Sequence, residues 1–152
     1  MRSRFWETVP LAEMTAEEWE ALCDGCAKCC LLKLEDADDG TVYFTDVHCF
    51  LLERATCRCG DYANRQVRVP TCIRLAPERL DAVFWMPSSC SYRRLAEGRG
   101  LAAWHPLRAG PEGVHAAGLS IRGRSVPETA VDEAALEDRL VDWPITESGD
   151  EA

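Results

Sequence analysis

The sequence has no apolar run long enough to cross a bilayer, and its N-terminus, MRSRFWETVPLAEM, lacks the apolar core of a signal peptide. A cytoplasmic protein with no membrane association is therefore expected. Nucleotide-binding signatures are missing too: there is no GxGxxG, no GxxxxGK[ST] and no HExxH. Nothing predicts a phosphate cradle or a helical zinc-protease site. Gly98-Arg99-Gly100 lacks the strand and helix that would frame such a loop. Histidine is scarce, with His48, His105 and His115 the only three. Positive charge is also short. The formal net charge of −9 argues against general nucleic-acid binding, because phosphate contacts need a positive surface.

The charge is uneven. Residues 1–52 carry 4 basic against 11 acidic side chains, and residues 127–152 carry 1 against 9. Between them, residues 53–108 hold 10 arginines against 5 acids. These arginines are expected to pair with the acidic ends and with thiolates.

Cysteine is what the chain has in abundance. All nine lie between residues 23 and 90. At 152 residues the chain can bury a sufficient core without staples, so stability alone does not explain them. In a reducing compartment, clustered cysteines point to metal or catalysis rather than disulfides. An odd count also prevents complete pairing within one chain.

The stretch CDGCAKCC places Cys23, Cys26 and Cys29 at doubled two-residue spacing. Two intervening residues let a tight turn aim two sulfurs at one centre. Bacterial ferredoxins use the same three-cysteine run, but there the fourth cysteine follows after three spacers and precedes proline. Here Cys30 follows at once. Neighbouring side chains diverge in both strand and helix, so Cys29 and Cys30 serve one site only through a bent backbone. Otherwise they serve two sites, or one of them enters the core. Cys49, Cys57, Cys59, Cys72 and Cys90 complete the set. The numbers allow two four-cysteine centres with one sulfur spare, or one centre with several structural thiols. Spacing alone does not group them.

Thr15-x-x-Glu18 reads as a capping box opening a helix that leads into Cys23. Ala37–Gly40 reads as a turn and Thr41–Thr45 as a strand. Helices are expected at Pro77–Phe84 and Ser91–Glu97, a strand at Leu119–Val126, and a helix from Asp132 to Val141. The expected fold is α+β: one small, loop-rich domain of short helices and a small sheet around the cysteines. Residues 1–144 would form the metal-binding domain and residues 145–152 a flexible acidic tail. Lys28, Arg54 and Arg58 flank cysteines, and Lys28 is expected to be a solvated surface charge. His48 is a weaker ligand candidate, and His105 is expected in a packed loop.

Residues 23–30 match the CxxCxxCC signature of the cysteine-cluster proteins, the YkgJ-like group described as zinc- or iron-chelating, in which the flagellin lysine methylase FliB is a distant member. Over residues 4–144 the chain resembles the uncharacterised bacterial YcgN family. RFWE, LCDGCAKCC, LLKLED, TCRCGDY with ANR, VPTCIRL and GRSV followed by VDWP carry the resemblance. Cys59-Gly60-Asp61-Tyr62, Arg65 and Pro70-Thr71-Cys72 match the superfamily's later cysteine motifs. The resemblance implies metal chelation and supplies no activity. Methylation is not carried over, since the chain shows no β–α alternation for a nucleotide-like cofactor.

Three functions remain open from the sequence. One is a chelator of an iron–sulfur cluster (4Fe–4S among the options) or zinc, serving redox, sensing or metal handling. The second is a cluster-dependent redox or protein-modifying enzyme, which would need an open metal position or a substrate pocket. The third is a zinc-stapled module recruiting a protein partner.

Overall fold

The computed structural model describes residues 1–70, 72 and 75–147, with Phe84 described by its backbone alone. Thr71, Ile73 and Arg74 of VPTCIRL, and residues 148–152 of the expected tail, lie outside the described residues.

The fold is α+β. It starts with α1 (Phe5–Thr8), whose Phe5 is buried against Trp19, Leu22, Tyr92 and Leu101. Then comes α2 (Ala16–Ala21), opened by the capping box that the sequence predicts. Thr15 Oγ1 accepts from the Glu18 N–H at 3.1 Å, and the Glu18 carboxylate accepts from the Thr15 N–H at 3.0 Å. Arg2 completes the carboxylate's shell at 2.7 Å, so Glu18 is buried with its charge matched.

β1 (Leu31–Glu35) follows the cysteine run directly and pairs antiparallel with β2 (Val42–His48) across the expected turn. Asp36 and Asp39 build that turn by accepting backbone N–H groups of residues 38, 39 and 41. β2 is central. Its other edge carries β5 (Val126–Pro127), parallel at Val47 and His48, and β6 (Leu140–Val141), antiparallel at Phe44 and Thr45. A separate hairpin joins β3 (Leu52–Glu53) to β4 (Arg58–Cys59).

The remaining α-helices are α3 (Arg65–Arg68), α4 (Ser91–Ala96), α5 (Pro106–Ala109), α6 (Gly113–Ala116) and α7 (Trp143–Thr146). Pro77–Trp85 is helical as expected, but in 3-10 turns broken at Arg79. Two expectations fail. Leu119–Ser125 is turn rather than strand, and only Val126 reaches the sheet. Residues 133–139 form 3-10 turns, not an α-helix. Asp132 makes no side-chain cap there, and Leu140–Val141 is spent on β2 instead. Sheet pairing outweighs helix propensity at that point.

Apolar burial is divided among three small clusters. One is Ala27, Leu31, Phe44, Leu52, Cys57 and Ile121. Another gathers Phe5, Trp19, Leu22, Tyr92 and Leu101, and the third Cys26, Ala102, Trp104, Val114 and Leu119. The CDGCAKCC loop runs between them: Cys26 and Ala27 belong to two different clusters, and Cys30 and Cys90 pack against the edges of two. Among the described residues no helix is long and apolar enough to cross a membrane.

Candidate metal centre

α2 ends at Leu22, whose carbonyl accepts the His105 Nε2–H at 2.8 Å. His105 Nδ1 accepts the Leu107 N–H at 3.0 Å, so the ring is buried in one neutral tautomer. From there the chain turns sharply. Gly25 takes φ +80° and Ala27 φ +62°, left-handed conformations that fold the loop back on itself. The Asp24 carboxylate holds the turn by accepting the Cys26 N–H at 2.9 Å. The Cys26 carbonyl accepts the Ile121 N–H at 3.0 Å, fixing the loop to the core. Asp24 also faces the Ser91 hydroxyl at 3.5 Å, which brings Cys90, one residue earlier, to the same loop.

Electrostatics place the thiols in company. Cys23 reaches the surface, yet protein around its sulfur pushes it up to about 12, with Asp24 and Cys29 adding to the effect. Cys26 is raised by burial, then by Asp24 and Cys29. Cys90 is raised by burial and by Asp24, with Cys29 and Cys23 contributing. Cys23, Cys26, Cys29 and Cys90 therefore form one neighbourhood around Asp24.

A second neighbourhood begins at Cys30. Its carbonyl accepts the Cys49 N–H at 2.9 Å. The Cys49 carbonyl accepts the Leu52 N–H at 3.0 Å, and Leu52 is the strand partner of Cys59. Gly60 closes this hairpin by donating to Leu51 O, and a Cβ there would lie 3.0 Å from that oxygen. Cys72 follows α3, its carbonyl held by Gln66 Nε2 at 3.2 Å. Cys72 is raised by burial and by Cys29, Cys49 and Cys59. Cys49 is raised by burial and by Cys59 among others.

Cys29 and Cys30 stand where the two groups meet. Their side chains hydrogen-bond to one another. That bond lowers Cys29 to about 7, while the same bond and burial raise Cys30 far above its ordinary value. A charge on one member of the vicinal pair thus disfavours a charge on the other. Lys33 lies over both groups. Its ammonium donates to the Cys29 and Leu31 carbonyls at 2.9 and 3.1 Å. Burial lowers its pKa, and Cys29, Cys30, Cys72 and Cys49 act in the opposite sense. Sequence reasoning missed Lys33. Its only signal was a position four residues past Cys29.

Cys57 stands apart. It takes φ +57°, is buried in the first apolar cluster, and has Arg122 and Ser120 as its polar neighbours. Cys59, two residues on in β4, is not part of that cluster. One expectation about charged residues changes as well. Lys28 is fully buried rather than solvated. His48 Nδ1 is bonded to Ser125 Oγ at 2.7 Å. Among the described residues no three Cys, His, Asp or Glu side chains are already drawn together as a finished single-ion site.

His105 makes the fold sensitive to acid. Burial lowers its pKa below 6.5, outweighing the Leu22 carbonyl, and His48 and His115 shift the same way, each through burial first. Unfolded chains take up these protons near pH 6.5 while the folded protein resists them. Below about pH 6.5 the unfolded state therefore binds more protons, and stability falls as pH drops. Urea midpoints measured at pH 7.5 and 5.5, roughly either side of the free imidazole value, should show it. A flat profile contradicts the buried neutral ring.

Comparison with known proteins follows this geometry. Residues 22–91 match the CxxCxxCC family model, described as "Putative zinc- or iron-chelating domain". A UPF0260 protein of Rhizobium etli (strain CIAT 652) is 54% identical over 143 residues, covering 93% of this chain and 90% of that one. The chain belongs to the UPF0260 family. Within the family, a protein of Rhodopseudomonas palustris (strain HaA2) is 56% identical over 142 residues, covering 92% of this chain and 84% of its own. One of Parvibaculum lavamentivorans is 54% identical over 142 residues, covering 93% of each. The family name carries no activity, and the matched model describes metal chelation through a cysteine-marked domain. No solved structure matches the chain at a significant level.

Proposed function

We propose that this UPF0260 chain is a cytoplasmic metal-chelating protein with two four-cysteine centres. Cys23, Cys26, Cys29 and Cys90 serve one, and Cys30, Cys49, Cys59 and Cys72 the other. The observation that carries this reading is the backbone: Asp24 holds the Cys26 N–H and faces Ser91 beside Cys90, whereas the Cys30 carbonyl holds the Cys49 N–H, and Cys29 lies where it acts on both Cys90 and Cys72. Cys57 is the spare sulfur.

The donor set fits a thiolate-bound metal. It is all sulfur; His105 spends both ring nitrogens on backbone groups, and His48 and His115 each bond a serine through Nδ1. Four thiolates suit structural zinc or an iron–sulfur cluster. We favour iron–sulfur. Zinc at ~2.3 Å from each sulfur demands a tight shell. These thiols are near enough to act on one another's pKa without converging on a point, which suits a larger polynuclear group. A bound cluster would supply one-electron chemistry, and Lys33 would offset the charge its thiolates bring. Redox, sensing or metal-handling roles are all consistent with this.

Anaerobic purification with metal analysis tests the reading. Brown protein absorbing near 400 nm, roughly as expected for thiolate-held iron, supports it. Colourless protein carrying zinc keeps the chelation and removes the redox roles. Folded, metal-free protein with nine reduced thiols ends it. Cys57→Ala should keep the full metal content; loss of either centre in that variant would overturn the grouping.

A cleft of about 570 Å³ favours a second, enzymatic reading. Trp19, Glu20, Tyr62 and Arg65 are among its lining residues, and Tyr62 donates to Glu20 at 2.8 Å. Both Glu20 and Tyr62 lie near enough to Cys23 for their charges to interact. A thermal-shift screen on loaded protein checks it. Any ligand whose binding survives Glu20→Gln with Tyr62→Phe is not using this cleft.

A further inference from the structure

Lys28 sits inside the cysteine run, is fully buried, and is held from two directions. Its ammonium donates to Ser89 Oγ at 2.9 Å and to Glu147 Oε2 at 3.2 Å. Ser89 is itself buried and immediately precedes Cys90. Glu147 is gripped a second time by Arg124, at 2.7 and 3.2 Å. Arg124 in turn stacks over the Trp143 ring at 3.8 Å and donates to Gly118 O at 3.0 Å. Ser88 adds two bonds to the same C-terminal segment: its N–H donates to Pro144 O at 3.1 Å, and its hydroxyl to Ile145 O.

Both arms of the Cys23/Cys26/Cys29/Cys90 group are therefore tied to residues 143–147. One tie runs through Lys28, between Cys26 and Cys29. The other runs through Ser88 and Ser89, beside Cys90. The tying element is a single four-residue helix and the Glu147 that follows it, with Ile145 exposed. Short elements held by a few bonds open locally far more readily than the core does. The ion pair resists this, because an opened Lys28 would be left buried without its carboxylate.

We propose that Trp143–Glu147 is a latch across this first cysteine group, with Glu147 as its catch, and that metal enters and leaves the group when Glu147 releases Lys28. The part concerning metal rests on the two-centre reading above. The latch itself is a statement about access to Cys26 and Cys90.

The test uses the full chain, reduced and metal-free. It receives a short pulse of N-ethylmaleimide, and labelling is quantified at each cysteine by peptide mass spectrometry. Glu147→Ala should raise labelling of Cys26 and Cys90 by about tenfold or more, as expected when a local opening equilibrium is shifted. Cys57, buried in a different cluster, should stay unchanged. Glu147→Gln keeps the size of the side chain and loses its charge, and should give the same pattern to a smaller degree; it carries the test if the alanine variant fails to fold. The latch is overturned by labelling within twofold of the unaltered protein, by fast labelling in the unaltered protein itself, or by an equal rise at Cys57. On loaded protein, Glu147→Ala should speed metal loss from the first group to a competing chelator and leave the second alone. If the protein binds no metal, the chelation reading fails, and the labelling still decides the latch.

Discussion

Cys26→Ser and Cys90→Ser each leave the protein with half its metal, and Cys49→Ser and Cys72→Ser each remove the other half. That is the expected result if Cys29 and Cys30 belong to different centres. A four-thiolate site rarely survives the loss of one ligand, because the remaining three must share the charge and close the geometry. The first two substitutions strike the group gathered around Asp24. The last two strike the group built on the Cys30–Cys49 backbone bond and the β3–β4 hairpin. Metal per folded chain is the measurement. If one substitution strips all the metal, there is a single shared centre and the grouping is wrong. The high thiol pKa values add a second signature. Metal must displace protons from Cys23, held up near 12, and from Cys26 and Cys90, so loading releases acid and weakens as pH falls.

The elements that build the first group differ in how openly the sequence declares them. The capping box at Thr15 and Glu18 is a local signal and is found as expected, as is the Asp-rich turn before β2. CxxCxxC is also local, and it marks the loop without the structure. The partners are not local. Cys90 reaches Asp24 only because α4 folds back so that Ser91 faces that carboxylate. Cys49 is fixed by a backbone bond to Cys30, which no side-chain pattern announces. Lys28 departs from its local pattern for a related reason. A lysine between cysteines looks solvated until Glu147, 119 residues later, arrives to pair with it. The strand expected at Leu119–Val126 fails before Val126 because its residues are spent on turns that pin Cys26 through Ile121. Leu140 and Val141, helical by pattern, are claimed by β2. In each case a contact between distant segments decides against the local pattern.

Gly113→Ala should be among the most damaging single-atom changes in the chain, costing about 3 kcal/mol, toward the upper end for overpacking. A Cβ at Gly113 would lie 2.2 Å from the Trp104 carbonyl oxygen and 3.1 Å from Ala109 Cβ. The nearer obstacle is backbone, so no rotamer change relieves it. Trp104, Val114 and Leu119 are among the residues against which Cys26 packs, so the displacement travels straight to the CDGCAKCC loop. Gly25→Ala provides the contrast. No atom lies within 4 Å of a Cβ there, and its cost is conformational, from φ +80°, on the order of 1 kcal/mol. Urea denaturation separates the two, with a lower midpoint and an unchanged slope expected for Gly113→Ala. If the two proposed centres form, metal should become labile at the first before the second, since Cys30, Cys49, Cys59 and Cys72 are not among the residues of this cluster. A Gly113→Ala protein within 0.5 kcal/mol of the unaltered chain, roughly the level of a neutral surface change, would mean that the loop at Trp104 yields freely. Cys26 would then owe its position to Asp24 and Ile121 alone.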